Sequence, residues 1–255
     1  RAHCPLPPTP PLVSLIIPTR DGHDVLRTCI ESILHKTTYP HLELLVVDNQ
    51  SSCPRTLAYL DAPAARPQGD VRVLRHDQPF NYSAINNMAA RHARGHVLGL
   101  INNDIEVINP DWLSELVSHA LRPEVGCVGA KLYYPDRSVQ HAGVVLGIGG
   151  VAGHSHKYFP GHADGYFGRL RISHNVSAVT GAVLLLRKEV FDQVGGLSED
   201  ALAVAFNDVD LCLRLTQAGY RHVWTPFAEL FHHESKTRGS DSTPEKQARF
   251  ARERD

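Results

Sequence analysis

Much that would place this chain in a narrow class is missing. The 255 residues include only five Cys, one Met and two Trp. Cys4, Cys29, Cys53, Cys127 and Cys212 are an odd, scattered set without CxxC spacing. That excludes a disulfide frame or zinc knuckle and fits reduced thiols in a cytoplasmic protein. Charge of one sign is lacking too. Lys plus Arg number 26 against 27 Asp plus Glu, a formal net charge of -1. No electrostatic footprint for nucleic acid or an anionic membrane results. No apolar run approaches the roughly 18–20 residues that span a bilayer. No internal repeat is found. Arg1 to Pro11 has neither an apolar signal-peptide core nor an initiator Met. Residues 1–12 read as a Pro-rich linker, so the chain is expected to be cut from a longer protein with further domains.

What is present suits a globular domain. Hydrophobic residues make up 42% and charged residues 21%, which excludes a disordered tail or a collagen-like repeat. About 250 residues can form one large α/β domain or two small ones. Apolar, β-branched runs at Val13–Ile17, Leu42–Val47, Val71–Leu74, His96–Ile101, Val125–Ala130 and Ala182–Leu186 predict strands. The first two are nearly continuous Val/Ile/Leu, as in a parallel sheet covered on both faces. Leu26, Ile30, Ile33 and Leu34 put an amphipathic helix over Asp24–Lys36. Asn109-Pro110 reads as an N-cap and first helical residue ahead of Trp112, Leu113, Leu116, Val117 and Ala120. Strand alternating with helix predicts βαβ units and a mostly parallel sheet. From about Leu132 the pattern degrades, and 143–168 reads as a long loop or lid without regular elements. A last helix is predicted over Asp208–Ala218, with Gly219 at its C-terminal end. The segment from Lys236 is polar and charged.

Several constellations carry chemistry. Asn103, Asp104 and Glu106 follow an apolar strand, where open α/β sheets place ligands. Two carboxylates separated by one apolar residue can share a crevice, and hard oxygen donors suit Mg²⁺ or Mn²⁺ beside phosphates. Asp208 falls in the first turn of the last helix, with Asn207 as a candidate N-cap, and the helix dipole there favours the ionised form a general base needs. Asp210 stands four residues before Arg214 and reads as a structural ion pair. His232 and His233 close an apolar stretch and offer neutral ring nitrogens as metal ligands. Two further patterns lack supporting context. Gly147-Ile148-Gly149-Gly150-Val151-Ala152 fits the dinucleotide fingerprint but has no helical stripe after it. His154, His156 and His162 have no zinc-site spacing.

The order of these segments is more specific than any one of them. Ser14 to Arg20, Leu44 to Ser51, Asn81 to Asn87, Leu100 to Glu106, Thr180 to Ala182, Asn207 to Arg214, Gly219 to Arg221 and His232 to Ser235 together resemble the family 2 glycosyltransferases. The resemblance implies a GT-A fold: a Rossmann-like, mostly parallel sheet flanked by helices, with a C-terminal acceptor-side segment. It covers 13–239, divided into a nucleotide-sugar-binding half (13–106) and an acceptor and catalytic half (107–239), with a polar tail at 240–255. It implies an inverting transfer of a sugar from a nucleotide-diphosphate donor to a hydroxyl of a glycan or lipid-linked glycan. Pro18, Thr19 and Arg20 would line the nucleotide site, Asp48 would hydrogen-bond the base, and Asn86 and Asn103 would sit near the nucleotide or donor sugar. Asp104, helped by Glu106, would hold a divalent cation (Mn²⁺ or Mg²⁺) approached by His232 or His233. Asp208 would be the base, with Thr180, Gly181 and Asn207 on the acceptor side. The family's usual Glu-Asp pair reads Asn207-Asp208 here, so the supporting carboxylate is absent. The alternatives are a non-catalytic nucleotide-sugar or carbohydrate-binding module and a sugar nucleotidyltransferase. The latter needs a Gly-rich basic phosphate loop, which Pro18 to Gly22 does not supply. The protein is expected in the cytoplasm, as the scattered cysteines suggest, or through other segments at the inner membrane face.

Overall fold

The structure, a computed structural model, describes residues 4–62 and 70–234. The polar tail, Gly239 and Ser235 therefore lie outside the described residues. The elements in chain order are β1 (Val13–Thr19), α1 (His23–Lys36), β2 (Leu42–Asp48), α2 (Pro54–Asp61), β3 (Asp70–Arg75), α3 (Tyr82–His92), β4 (Val97–Ile101), β5 (Ile105–Val107) and α4 (Trp112–Ala120). There follow β6 (Val125–Tyr133), β7 (Val139–His141), β8 (Val144–Leu146), β9 (Ala152–His154), β10 (His174–Val176), β11 (Val183–Arg187), α5 (Lys188–Gln193), α6 (Asn207–Gln217) and β12 (Arg221–His232). No helix among the described residues is long and apolar enough to cross a membrane.

Ten strands form one sheet, ordered β10-β12-β6-β11-β4-β1-β2-β3, with β5 beside β12 and β7 beside β6. The β3-β2-β1-β4 section is parallel, as the βαβ pattern predicts. β11 then runs antiparallel to both β4 and β6, while β12 and β6 are parallel. One sheet thus runs through both halves of the chain. Every predicted strand is present, and the nearly continuous apolar runs have their physical cause in the packing. Leu15, Ile17, Leu44 and Val46 join one core with α1 and α4. Ile16, Leu45 and Val47 join a second core, on the opposite face, with α3 and α6. Successive side chains of a strand alternate faces, so both must be apolar when both are covered.

A strand that is apolar on both faces cannot set its register by alternation. In β2 a buried charge supplies the missing constraint. The Glu43 carboxylate accepts hydrogen bonds from Ser14 Oγ at 2.6 Å, Arg94 N at 2.8 Å, Arg94 Nε at 2.8 Å and Arg72 Nη1 at 3.2 Å. Burial works to raise its pKa, and these bonds outweigh burial and lower it.

Helix ends bring two corrections. The N-cap of α4 is Asp111, not Asn109. Asn109 instead bridges to β12, donating to Phe227 O at 2.9 Å and accepting from Glu229 N at 2.6 Å. The N-cap of α6 is Phe206, in a left-handed conformation with φ 58°, and Asn207 is the first helical residue. The end of α6 is as predicted. Gly219 has φ +94°, and Gly219 N and Tyr220 N bond back to Thr216 O and Leu215 O, a Schellman closure. Arg214 and Asp210 pair at 2.7 Å across one turn.

The segment 143–168 is more regular than its sequence suggests. β8 and β9 form an antiparallel hairpin, and Gly147 makes its turn at φ +88°. Those glycines therefore serve a hairpin rather than a phosphate loop. Val145, Leu146, Ile148, Tyr158, Phe159, Tyr166 and Phe167 remain exposed along the segment.

Candidate active site

The strand order places β2 and β3 on one side of β1 and β4 on the other, so the chain reverses direction across the sheet between β1 and β4. Ligands of open α/β sheets bind at the carboxyl ends of the strands flanking such a point. Thr19 closes β1 here, and Asn103 follows β4. The Asn103 amide donates to Thr19 Oγ1 at 3.0 Å, bridging the reversal. Thr19, Asn103 and Asp104 are all buried. Pro18 is half-buried and Arg20 exposed beside them. The next turn takes positive φ at Asp21 (54°) and Gly22 (68°). The Asp21 carboxylate accepts from Cys53 N at 2.7 Å and Ser52 N at 2.8 Å, locking this turn to the loop after β2. Chiefly for that reason its pKa falls.

Asp48 ends β2 directly opposite Thr19 in the strand register. It pairs with Arg75 of β3 and accepts from Ser51 N at 3.2 Å. Asn86 is fully buried on α3, and its amide donates back to Tyr82 O at 2.8 Å. Its side-chain oxygen has no partner among the described residues.

Across the reversal, β12 returns antiparallel to β5 with His232 opposite Ile105. That register decides between the two histidines. His232 Nε2 lies 3.1 Å from Asp104 Oδ1. His233 turns to Glu106, with Nε2 at 3.2 Å from Oε2. Glu106 also holds Lys36 Nζ of α1 at 3.1 Å. Burial works to raise the Glu106 pKa, while hydrogen bonds from His233 and Lys36 lower it overall. Asp104 with His232 and Glu106 with His233 are therefore two separate pairs.

Asp208 is anchored at the start of β11, which pairs with the end of β4 through Val183 and Ile101. Its Oδ2 accepts from Gly181 N at 2.8 Å, and its Oδ1 from Val209 N at 2.8 Å. Gly181 leads into β11, whose neighbour Ala182 accepts through its carbonyl from Asn102 N at 3.0 Å. Tyr82 Oη donates to Gly181 O at 3.0 Å. A Cβ on Gly181 would stand 3.2 Å from that hydroxyl and 3.5 Å from Asp208 Cβ. A methyl group here would meet Asp208 at ordinary contact distance and would need the Tyr82 hydroxyl to give by a few tenths of an ångström. Thr180 Oγ1 accepts from Ala182 N at 3.3 Å, and the Asn207 amide donates to Val204 O at 3.1 Å. The hairpin contributes His154, which touches His141 with their Nδ1 atoms 2.8 Å apart. Burial lowers the His154 pKa, opposed by the negative charges of Asp208 and Glu234.

Sequence reasoning passed over Tyr82, Asn102, Arg75, Gln140, His141 and the part His154 plays here. Tyr82 and Asn102 lay inside the quoted segments, so their position was a usable signal. Gln140 and His141 occupy a three-residue strand with no periodicity to announce it. Of the three loop histidines, His156 bonds to Ser155 Oγ and Tyr166 N, away from His154. Among the described residues, one trio of potential ligand atoms lies within 4.8 Å: Cys127, Cys212 and His222. His222 has no lone pair to give, because Nδ1 accepts from Cys127 N at 3.1 Å and Nε2 faces Cys212 O at 2.8 Å. Burial also pushes the Cys127 thiol far above its ordinary range. This trio is core.

Residues 14–195 match the family model described as Glycosyl transferase family 2. The chain belongs to that family. This glycosyltransferase chain is 58% identical over 255 residues to an uncharacterized protein, y4gI, of Sinorhizobium fredii, covering 100% of itself and 28% of that protein. It is 47% identical over 238 residues to the O-antigen biosynthesis protein RfbC of Myxococcus xanthus, covering 92% of itself and 18% of RfbC. It thus spans less than a third of either relative. Among solved structures it resembles the mannosyltransferase PcManGT from Pyrobaculum calidifontis in complex with GDP-Man and Mn²⁺. The TM-score is 0.70 at 19% identity, over 98% of this chain and 64% of that one. The sheet, the flanking helices and this likeness make the fold GT-A.

Proposed function

We propose that this domain transfers a sugar, with inversion, from a nucleotide-diphosphate donor to a hydroxyl of a glycan or lipid-linked glycan. The likeness to RfbC supports polysaccharide assembly as the setting. The reading is carried by one observation: Asp208 is fixed by Gly181 N at the start of β11, beside the end of β4 where Asp104 meets His232.

The residues fit a divalent cation. A carboxylate and an imidazole come together at the strand ends, an oxygen and nitrogen donor set that suits Mn²⁺ better than Mg²⁺. Asp104 and His232 would hold it, with Glu106 and His233 behind them. When bound, such an ion neutralises charge developing on the departing diphosphate. Thr19 and Asn103 position the donor at the strand reversal, beside Pro18, Arg20 and Asn86. Asp48, steadied by Arg75, offers its free lone pairs to a base N–H. Asp208, with both oxygens oriented by backbone N–H groups, takes the proton from the acceptor hydroxyl as that oxygen attacks the anomeric carbon. Attack from the face opposite the leaving group inverts the configuration. Thr180 and Asn207 border the acceptor side, and the hairpin with His154 shields the reacting centre from water.

The test is nucleoside-diphosphate release from a panel of UDP-, TDP- and GDP-sugars, with and without Mn²⁺. Metal-dependent release supports transfer. Tight donor binding with no turnover for any donor and acceptor tried would favour a binding module.

A further inference from the structure

β7 contains a buried amide that the transfer chemistry does not use. Gln140 is 3% exposed, and its two polar ends meet partners of fixed character. Nε2 donates to Glu234 Oε2 at 3.2 Å. An ionised carboxylate only accepts, so this end is the NH₂. The Oε1 end then faces His232 Nδ1 at 2.6 Å. An amide oxygen also only accepts, so Nδ1 carries the hydrogen and donates it. The lone pair of the neutral ring is thereby assigned to Nε2, the atom 3.1 Å from Asp104 Oδ1. Asn102 Nδ2, at 3.3 Å, is placed to donate to that same nitrogen. A ring lone pair and a carboxylate oxygen in contact repel each other unless a proton or cation lies between them.

We propose that Gln140, backed by Glu234, is a positioning residue that locks His232 with its hydrogen on Nδ1, so that Nε2 always faces Asp104 to receive a divalent cation. The proposal rests on the reading that Asp104 and His232 hold the metal. It extends that reading to two residues, Gln140 and Glu234, that stand behind the His232 ring. Partners of this kind fix the tautomer and aim of a metal-binding imidazole, and losing one typically costs about 10- to 100-fold in metal affinity. They also explain why a Gln, rather than an apolar residue, is buried under β12. Its two ends are both satisfied, and replacing it leaves the His232 ring N–H without its acceptor.

The first measurement needs no variant. Long-range ¹H–¹⁵N correlation of the uniformly labelled, metal-free chain reports which nitrogen of His232 is protonated once the ring is neutral, with assignment from His232→Asn. Hydrogen on Nδ1 is expected, and hydrogen on Nε2 would overturn the proposal. The second is Mn²⁺ affinity, read from the electron paramagnetic resonance of free Mn²⁺. Gln140→Met, close in volume and without polar ends, is expected to weaken binding about 10- to 100-fold and to mix the tautomers. Mn²⁺ binding that is lost in Asp104→Asn yet unchanged in Gln140→Met would overturn the proposal alone. A wild-type chain that binds no Mn²⁺ would overturn the metal reading and the proposal with it.

Discussion

Replacing Asp208 by Asn changes the side chain's shape very little and its chemistry in two countable ways. The carboxylate now accepts two backbone hydrogen bonds, from Gly181 N and Val209 N, one on each oxygen. Asparagine has a single oxygen, so its NH₂ must face one of those donors. A buried donor left without a partner costs about 1–3 kcal/mol. Asp208 is only half-buried, which puts the loss at the lower end, about 1–2 kcal/mol. For a domain of this size that is roughly 2–8 °C in Tm. Against a typical stability of about 5–15 kcal/mol, the variant stays folded. The catalytic loss is larger. An amide cannot take the acceptor's proton, and removing a positioned general base costs about 10²–10⁴ in rate. At 1.36 kcal/mol per tenfold, that is about 2.7–5.4 kcal/mol of barrier. Nucleotide binding uses other residues and should remain. The assays are kcat for nucleoside-diphosphate release in the presence of acceptor and titration calorimetry with nucleotide. Transfer within tenfold of the wild-type rate would refute the assignment of the base.

Other perturbations have equally definite outcomes. Glu43→Ala removes the acceptor from the buried Ser14 hydroxyl and from the Arg94 backbone N–H, and a buried donor left unpaired costs about 1–3 kcal/mol, measurable by urea unfolding. The same carboxylate sets an acid limit. Because hydrogen bonds lower its folded pKa, its stabilisation is complete above the unfolded value near 4.3 and fades as pH falls through the folded one. Wild type should lose that stability on acidification, and Glu43→Gln should show a flatter profile. Gly181→Ala crowds the Tyr82 hydroxyl by a few tenths of an ångström and meets Asp208 at ordinary contact distance, so kcat should fall modestly, by up to roughly tenfold. Nucleotide affinity should hardly move; a variant with wild-type kcat would remove the need for that close approach. A nucleoside diphosphate with Mn²⁺ at 100 times its dissociation constant adds about 2.7 kcal/mol, hence roughly 5–11 °C in Tm. The shift should shrink in Asp104→Asn. An equal shift there would place the metal elsewhere.

Tyr158 stacks on Tyr134 with ring centroids 5.2 Å apart, and Lys157 stands over the Tyr158 ring at 5.2 Å. Tyr158, Phe159, Tyr166 and Phe167 follow the hairpin as exposed aromatic side chains.

What the sequence determined by itself was whatever depends on neighbours along the chain. The apolar runs of β1 and β2, the stripe of α1, the Asp210–Arg214 pair and the glycine that closes α6 are local consequences of period and backbone freedom. The order of motifs likewise identified the family. Tertiary structure decided what depends on register between distant strands. His232 and His233 are adjacent, and no local rule says which of them meets Asp104; the pairing of β12 with β5 does. β12 also carries Pro226, which the sheet accommodates where the register shifts between Trp224 and Glu229. Asn109 and Asn207 looked like helix caps because that is what Asn prefers beside a helix. Long-range bonds to β12, in the case of Asn109, and the left-handed turn at Phe206 gave the caps to other residues. Gln140 gained its place only through contacts 92 and 94 residues away along the chain, a separation at which sequence pattern carries no signal and only packing and hydrogen-bond satisfaction choose.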